Sequence, residues 1–296
     1  ELLDVDNLDD DSFEVFKQLR LRPDLSKPED ILKLKGFVSK FTVRRTKSNI
    51  NDFIDLEPEK YKNALGNICR FPNQVPKVYE TEETEKDIKI VHQISEICKE
   101  LKGITYLKKI TKPKFEISED KKQNYINNRL NVAKHLSIYV IRHRLRSSNI
   151  ALLEHIIGAN EVQKFKQFDT RKANGNKIKV NEINKLIAKN KVPFISPYFK
   201  NCQIPSWITS NTEYQAACKK ELFLYLEITR LVKQLSGNRE QGKANELLRQ
   251  MKTHKKILAF DTCIITLYYL KHILNSQNSN IKILIASGDN VKESDE

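Results

Sequence analysis

The chain has 296 residues, 39 % of them hydrophobic and 30 % charged, with a net charge of +14. That is enough for one large domain or two, and no run of about 18 apolar residues is present to cross a membrane. Five scattered cysteines without a C-x-x-C pair suit a reducing compartment and argue against both a disulfide framework and a structural zinc site.

The chain opens on Glu1 with no basic-then-apolar leader, and reads as an excerpt of something longer. Phe13, Phe16 and Leu19 recur at helical steps behind an acidic start, and Asp30 caps a second predicted helix carrying Ile31, Leu34, Phe37, Val38 and Phe41 inward. The stretch FVSKFTVRRTKSNI (37–50) then alternates apolar and polar residues and ends in the basic cluster Arg44, Arg45, Thr46, Lys47. Leu56-Glu57-Pro58 and Phe71-Pro72 to Pro76 are breaks. From Thr84 to Leu101 a helix is expected to bury Ile88, Val91, Ile94, Ile97, Cys98 and Leu101.

The excess charge lies mid-chain. Residues 121–200 hold 17 Lys/Arg against 4 Asp/Glu, the footprint of a phosphate-backbone binder. A merely solvated Lys/Asn-rich surface gives the same count. Helices are expected over Tyr125–Leu145 and Asn149–Ile157. His135 and His143 read as polar-face residues, since no carboxylate or Cys sits at ligand spacing beside them. Arg142, Arg144 and Arg146 alternate along the helix end, where like charges at i, i+4 repel unless phosphates sit opposite. The competing reading pairs one or two of them with Glu154 or Glu161.

Residues 169–200 read as loop with one short helix near Val180–Ala188. Ser210-x-x-Glu213 signals a capping box for what is expected to be the longest helix, running to about Leu235 and stopping at Ser236-Gly237. A helix over Lys243–Met251, a strand at Lys256–Phe260, a helix over Ile264–Leu274 and a strand at Ile281–Ala286 together predict a parallel βαβ unit. The fold class expected is therefore mostly α with a partial α/β unit at the C-terminus. Gly237 to Ala244 reads G-x-x-x-x-G-K-A, one residue from a P-loop. Ala244 lacks the hydroxyl that holds magnesium, and no strand precedes the loop.

Three stretches, in order, resemble SWI/SNF-type helicase-like ATPases of superfamily two, in their bacterial form. FVSKFTVRRTKSNI is similar to the end of the first motor lobe. Leu145-Arg146-Ser147-Ser148-Asn149-Ile150-Ala151-Leu152-Leu153 resembles a segment of bacterial members. Gly242-Lys243, Lys256 to Phe260, Thr266, Tyr269-Leu270 and Gly288 resemble the opening of the second lobe. The resemblance implies a first-lobe end over 1–70, a basic helical insertion over 71–236, and the start of a RecA-like parallel sheet over 237–296.

It further implies a parent that binds ATP and magnesium between two lobes and ratchets along duplex DNA, working on a DNA-bound protein complex in a cytoplasmic, nucleoid-associated setting. No P-loop, D-E-x-H box or arginine-finger motif occurs in this chain, so no cofactor site and no ATP hydrolysis are expected of it alone. The nucleic-acid contacts expected are Arg44, Arg45, Lys47, Arg142, Arg144 and Arg146. The alternatives left open are a stand-alone basic helical nucleic-acid-binding module and a plain interaction scaffold.

Overall fold

Two threonines start two helices by the same device. Thr46 precedes α1 (Lys47–Leu56) and Thr84 precedes α2 (Glu85–Lys99), and each exchanges hydrogen bonds with the residue three positions on, Asn49 or Asp87. Such reciprocal caps satisfy amides that have no partner inside the helix. A computed structural model describes residues 28–29, 31–32, 46–71, 75–81, 83–113, 117–169 and 178–286. The chain divides into two compact units, Glu1–Lys77 and Val78–Glu296. The boundary expected near residue 237 falls inside the second.

In the first unit, α1 leads to a short 3-10 turn at Pro58–Tyr61 and an isolated antiparallel bridge between Lys62 and Ile68. Asn51 ties this segment together by exchanging side-chain hydrogen bonds with the backbone of Phe71. The helix expected around Asp30 is described only at 28–29 and 31–32, which are helical, with Ile31 exposed rather than inward. The Phe13–Leu19 helix, Arg44 and Arg45 lie outside the described residues.

The second unit is helical around one small sheet. After α2 come β1 (Lys109–Ile110), α3 (Glu119–Ser147), α4 (Asn149–Ile157), α5 (Ala159–Lys166), α6 (Lys179–Lys189) and β2 (Phe194–Ile195). A one-turn α7 (Ser206–Thr209), α8 (Asn211–Val232), α9 (Asn238–Met251) and α10 (Ile264–Gln277) complete it. α4 buries six of its nine residues, because Ile150, Ala151, Leu152, Leu153 and Ile156 leave almost no polar face. It sits among α3, α5, α6, α8 and α10. α8 lays Tyr214, Cys218, Leu224, Tyr225, Ile228 and Leu231 into the same core.

Where α2 ends, the chain crosses the backbone of α3 at Gly103. A Cβ there would stand 2.1 Å from Ala133 O, so only glycine fits, and its φ of +72° is one glycine adopts freely. The carboxylate of Glu221, 2 % exposed on α8, accepts the amides of Lys102, Gly103 and Ile104 at 2.9, 3.1 and 2.9 Å. Burial pushes its pKa up against the pull of those three amides and Lys179.

Among the described residues the class is mostly α with one two-stranded parallel sheet. The pair is not where the sequence put it. β1 and β2 pair at Lys109↔Phe194 and Ile110↔Ile195, above a cluster of Leu107, Ile110, Ile126, Phe199 and Ile208. Lys256–Phe260 and Ile281–Ala286 form no ladder. Parallel strands need cover on both faces, yet Leu258 and Phe260 are 84 % and 90 % exposed. In the second stretch Ile283 packs against the cluster between α9 and α10.

Other boundaries moved for local reasons. α2 turns Asp87 and Ile90 inward with Ile94 and Cys98, leaving Ile88 and Val91 exposed. α3 starts six residues earlier than expected and, at 29 residues against 22 for α8, replaces the Ser210 helix as the longest among the described residues; α5 has no counterpart in the sequence reading. Ser210 caps α8, but Glu213 reaches Ser206 rather than closing the box. Among the described residues no helix is long and apolar enough to cross a membrane, and no cluster of His, Cys, Asp or Glu could hold a metal ion.

Candidate nucleic-acid interface and the polar junction behind it

The last two turns of α3 have two sides. Arg142 and Arg146 are exposed, Arg142 donating to Ser95 Oγ at 3.2 Å and Arg146 having no ion-pair partner among the described residues. Arg144 turns the other way. It is partly buried, with a third of its side chain exposed, and lies 3.3 Å from Cys263 Sγ and 3.8 Å from the carboxylate of Glu154, so it faces the junction. Burial raises the pKa of Glu154 while Arg144 opposes the rise. The sequence grouped the three arginines; the helix separates them, because i+2 points across a helix and i+4 along it.

The outer face of α3 is long, and its charges are all basic from Lys121 onward. At 29 residues the helix spans about 43 Å, and from Lys121 to Ser147 it carries no carboxylate. Lys121, Arg129, Arg142 and Arg146 are all exposed. Lys47, at the start of α1 in the other unit, is also exposed, with its ammonium 5.9 Å from the Phe71 ring centre.

Behind Arg142 and Arg146 lies a buried polar junction. Ser148 is extended (φ −167°, ψ 163°) and separates α3 from α4, its hydroxyl accepting Ala151 N at 2.9 Å as the cap of α4. Ser147 Oγ stands 2.5 Å from Asp261 Oδ1, and Thr266 Oγ1 is 2.7 Å from both serine hydroxyls. Each hydroxyl has one proton to give. With Ser147 donating to Asp261, Thr266 must donate to Ser147 and Ser148 to Thr266, a one-way chain ending on the carboxylate. Asp261 also accepts the amide of Cys263 at 2.8 Å.

The start of α9 closes the junction. Lys243 Nζ donates to Ser147 O at 2.5 Å and lies 4.0 Å from Asp261 Oδ2; burial lowers its pKa while Asp261 opposes. Arg239 donates to Leu145 O at 2.5 Å and to Asn149 Oδ1 at 3.1 Å, and Glu240, 1 % exposed, accepts Asn149 N at 2.7 Å. α9 is itself anchored from α2. Asp87 accepts both the amide and the hydroxyl of Ser236, at 2.9 and 2.6 Å. Burial would raise its pKa, but the bonds from Ser236 and Thr84 outweigh it and bring the group down to about 2.

This arrangement positions elements. A Ser–Lys nucleophile needs the amine on the hydroxyl, whereas Lys243 holds the Ser147 carbonyl, and Ser147, Ser148 and Thr266 are buried. The P-loop look-alike is helix from Asn238 onward, so the amides from Gln241 on donate along α9 and cannot cradle a phosphate. In the sequence Ser147, Ser148, Lys243 and Thr266 stand out only as parts of the resemblance, and Lys243 reads as a solvent-facing helix residue; the structure instead turns its ammonium inward onto Ser147 O. Arg239, Glu240 and Asp261 have no role in that reading. Glu240 had a signal, since it keeps helical phase with Ala244, Leu247, Leu248 and Met251 and so falls on the buried face. Compared with known proteins, the chain matched no family model, no curated protein and no solved structure.

Proposed function

We propose that this chain is the inter-lobe helical region of a DNA-dependent ATPase of the SWI/SNF helicase-like type, gripping duplex DNA by its backbone through α3. One observation carries the reading. Two of the stretches on which the resemblance rests, Leu145–Leu153 and Gly242–Leu270, lie about a hundred residues apart. Their marked residues Ser147, Ser148, Lys243 and Thr266 meet within hydrogen-bonding distance in the junction. An accidental likeness gives no reason for that meeting. In this reading Arg142 and Arg146 contact phosphates while the junction joins the DNA-binding helix to the α9–α10 segment that opens the second lobe. Lys47, with Arg44 and Arg45, is the first lobe's contribution, and ATP and magnesium belong to the whole motor.

A second reading, a stand-alone basic nucleic-acid module, is favoured by the packing of α9 and α10 into the same compact unit as α2–α8. Both readings share the backbone contact. Anisotropy of a labelled random duplex, titrated between low and physiological salt, tests it. Replacing Arg142 and Arg146 together by Ala should flatten the slope of log K against log[salt] by about 1.8, at about 0.9 per phosphate contact. An unchanged slope, or no binding at low salt, rules the contact out. The two readings are then separated by adjacent coding sequence: a P-loop and D-E-x-H box upstream mark the motor.

A further inference from the structure

The outer face of α3 holds more than charge. Val132, Leu136 and Tyr139, at i, i+4 and i+7, are 56, 39 and 62 % exposed and form one apolar stripe between Arg129 and Arg142. Phosphate binding alone has no use for them, and an uncovered apolar row on a long helix marks a contact surface. The Tyr139 ring leans on His143, ring centres 5.7 Å apart at 30°, which braces one face and leaves the phenol otherwise in solvent. A protein partner suited to the flanking charge would bring carboxylates. A nucleic acid brings phosphates for Arg129, Arg142 and Arg146 and, where its bases are unpaired, flat apolar faces for the stripe. Every base has such a face, whereas a perfect duplex hides it inside the stack.

We infer that this face takes nucleic acid with unpaired bases in preference to perfect duplex, stacking a base on Tyr139 while the flanking arginines hold the backbone. The inference rests on the nucleic-acid reading above and adds to it a substrate form, a locally opened duplex. Arginines on either side set the register along the strand, and Val132 and Leu136 extend the apolar floor by about 10 Å along the helix axis.

The test uses the full chain and three labelled DNA probes of equal length: a perfect duplex, the same duplex with a three-nucleotide mismatched bubble, and the single strand. The two duplexes carry the same number of phosphates, so their difference isolates the bases. The bubble should bind about tenfold more tightly than the perfect duplex, the scale of one stacked base. Tyr139→Ala should abolish that preference while leaving perfect-duplex affinity and its salt slope unchanged, and Tyr139→Phe should retain it. Tyr139 is mostly exposed, so both variants should keep the parent's thermal midpoint. Equal binding of bubble and perfect duplex, or a preference that survives Tyr139→Ala, overturns the inference and leaves the backbone reading standing. Binding of none of the probes overturns both and gives the stripe to a protein partner.

Discussion

The outer face and the inner end of α3 are built from the same kinds of residue and come to opposite uses. Outside, Arg142 and Arg146 stand in water with Val132, Leu136 and Tyr139 among them. Inside, Arg144, Ser147, Arg239, Glu240, Lys243 and Asp261 bond or pair with one another, with neighbouring side chains or with the backbone. A charge removed from water must find partners or it costs several kcal/mol, so a buried charge marks a structural commitment. An exposed charge carries no such cost and is free for a ligand. The difference teaches where to expect stability effects and where to expect binding effects.

The sharpest break of this comparison is Glu240→Ala. It should destabilise the second unit by about 3 kcal/mol in urea unfolding, because the backbone amide and side-chain NH2 of Asn149 lose their buried acceptor and the Arg239 guanidinium loses a carboxylate 3.8 Å away. A loss below about 1 kcal/mol would mean that the junction is wet. Acid should act on the same side. His155, in the last turn of α4, is pushed down to about 3 by burial and by Lys179 and Arg144. The folded state therefore stays neutral where the unfolded chain takes a proton, and stability falls as pH drops from about 6.5 towards 3. Between pH 8 and pH 5 this amounts to about 2 kcal/mol, and His155→Gln should remove it. Asp87 adds a second loss at lower pH, as its folded pKa near 2 lies below the ordinary 3.8.

Lys243→Met keeps the aliphatic stem and deletes the bond to Ser147 O. The expected cost is about 1–2 kcal/mol, with no ATP turnover by the chain before or after the change. Turnover that disappears in Lys243→Met would turn the look-alike into a working nucleotide site. The smallest stability effect should come from the outer face. Arg142→Ala and Arg146→Ala should each stay within about 0.5 kcal/mol of the parent in urea, while Arg144→Ala, breaking its contacts to Glu154 and Cys263, should cost more and leave the salt slope of DNA binding unchanged. The reverse ranking would exchange the roles of the two sides.

Much of the helical order was legible because it rests on local chemistry. The cap at Ser210 and the apolar run of α4 follow from a few neighbouring residues. So does the broken phase at Ser148, where a serine that hydrogen-bonds the next turn ends one helix and starts another. The basic face of α3 follows from a stretch without a carboxylate. These are properties of the chain by itself.

Which apolar stretches became strands was a tertiary decision. Lys109–Ile110 and Phe194–Ile195 are short and unremarkable in sequence, yet they pair because α3 and Phe199 cover them. Lys256–Phe260 and Ile281–Ala286 have the stronger pattern and stay unpaired, because a strand needs a neighbour for its backbone as well as apolar side chains. The fate of the charged residues was decided in the same way. Composition counts Arg142, Arg144 and Arg146 alike, and only the packing of α9 and α10 against the end of α3 makes one of them structure and leaves two for a ligand. The charge comes from the residues themselves, whereas burial depends on contacts between residues about a hundred positions apart.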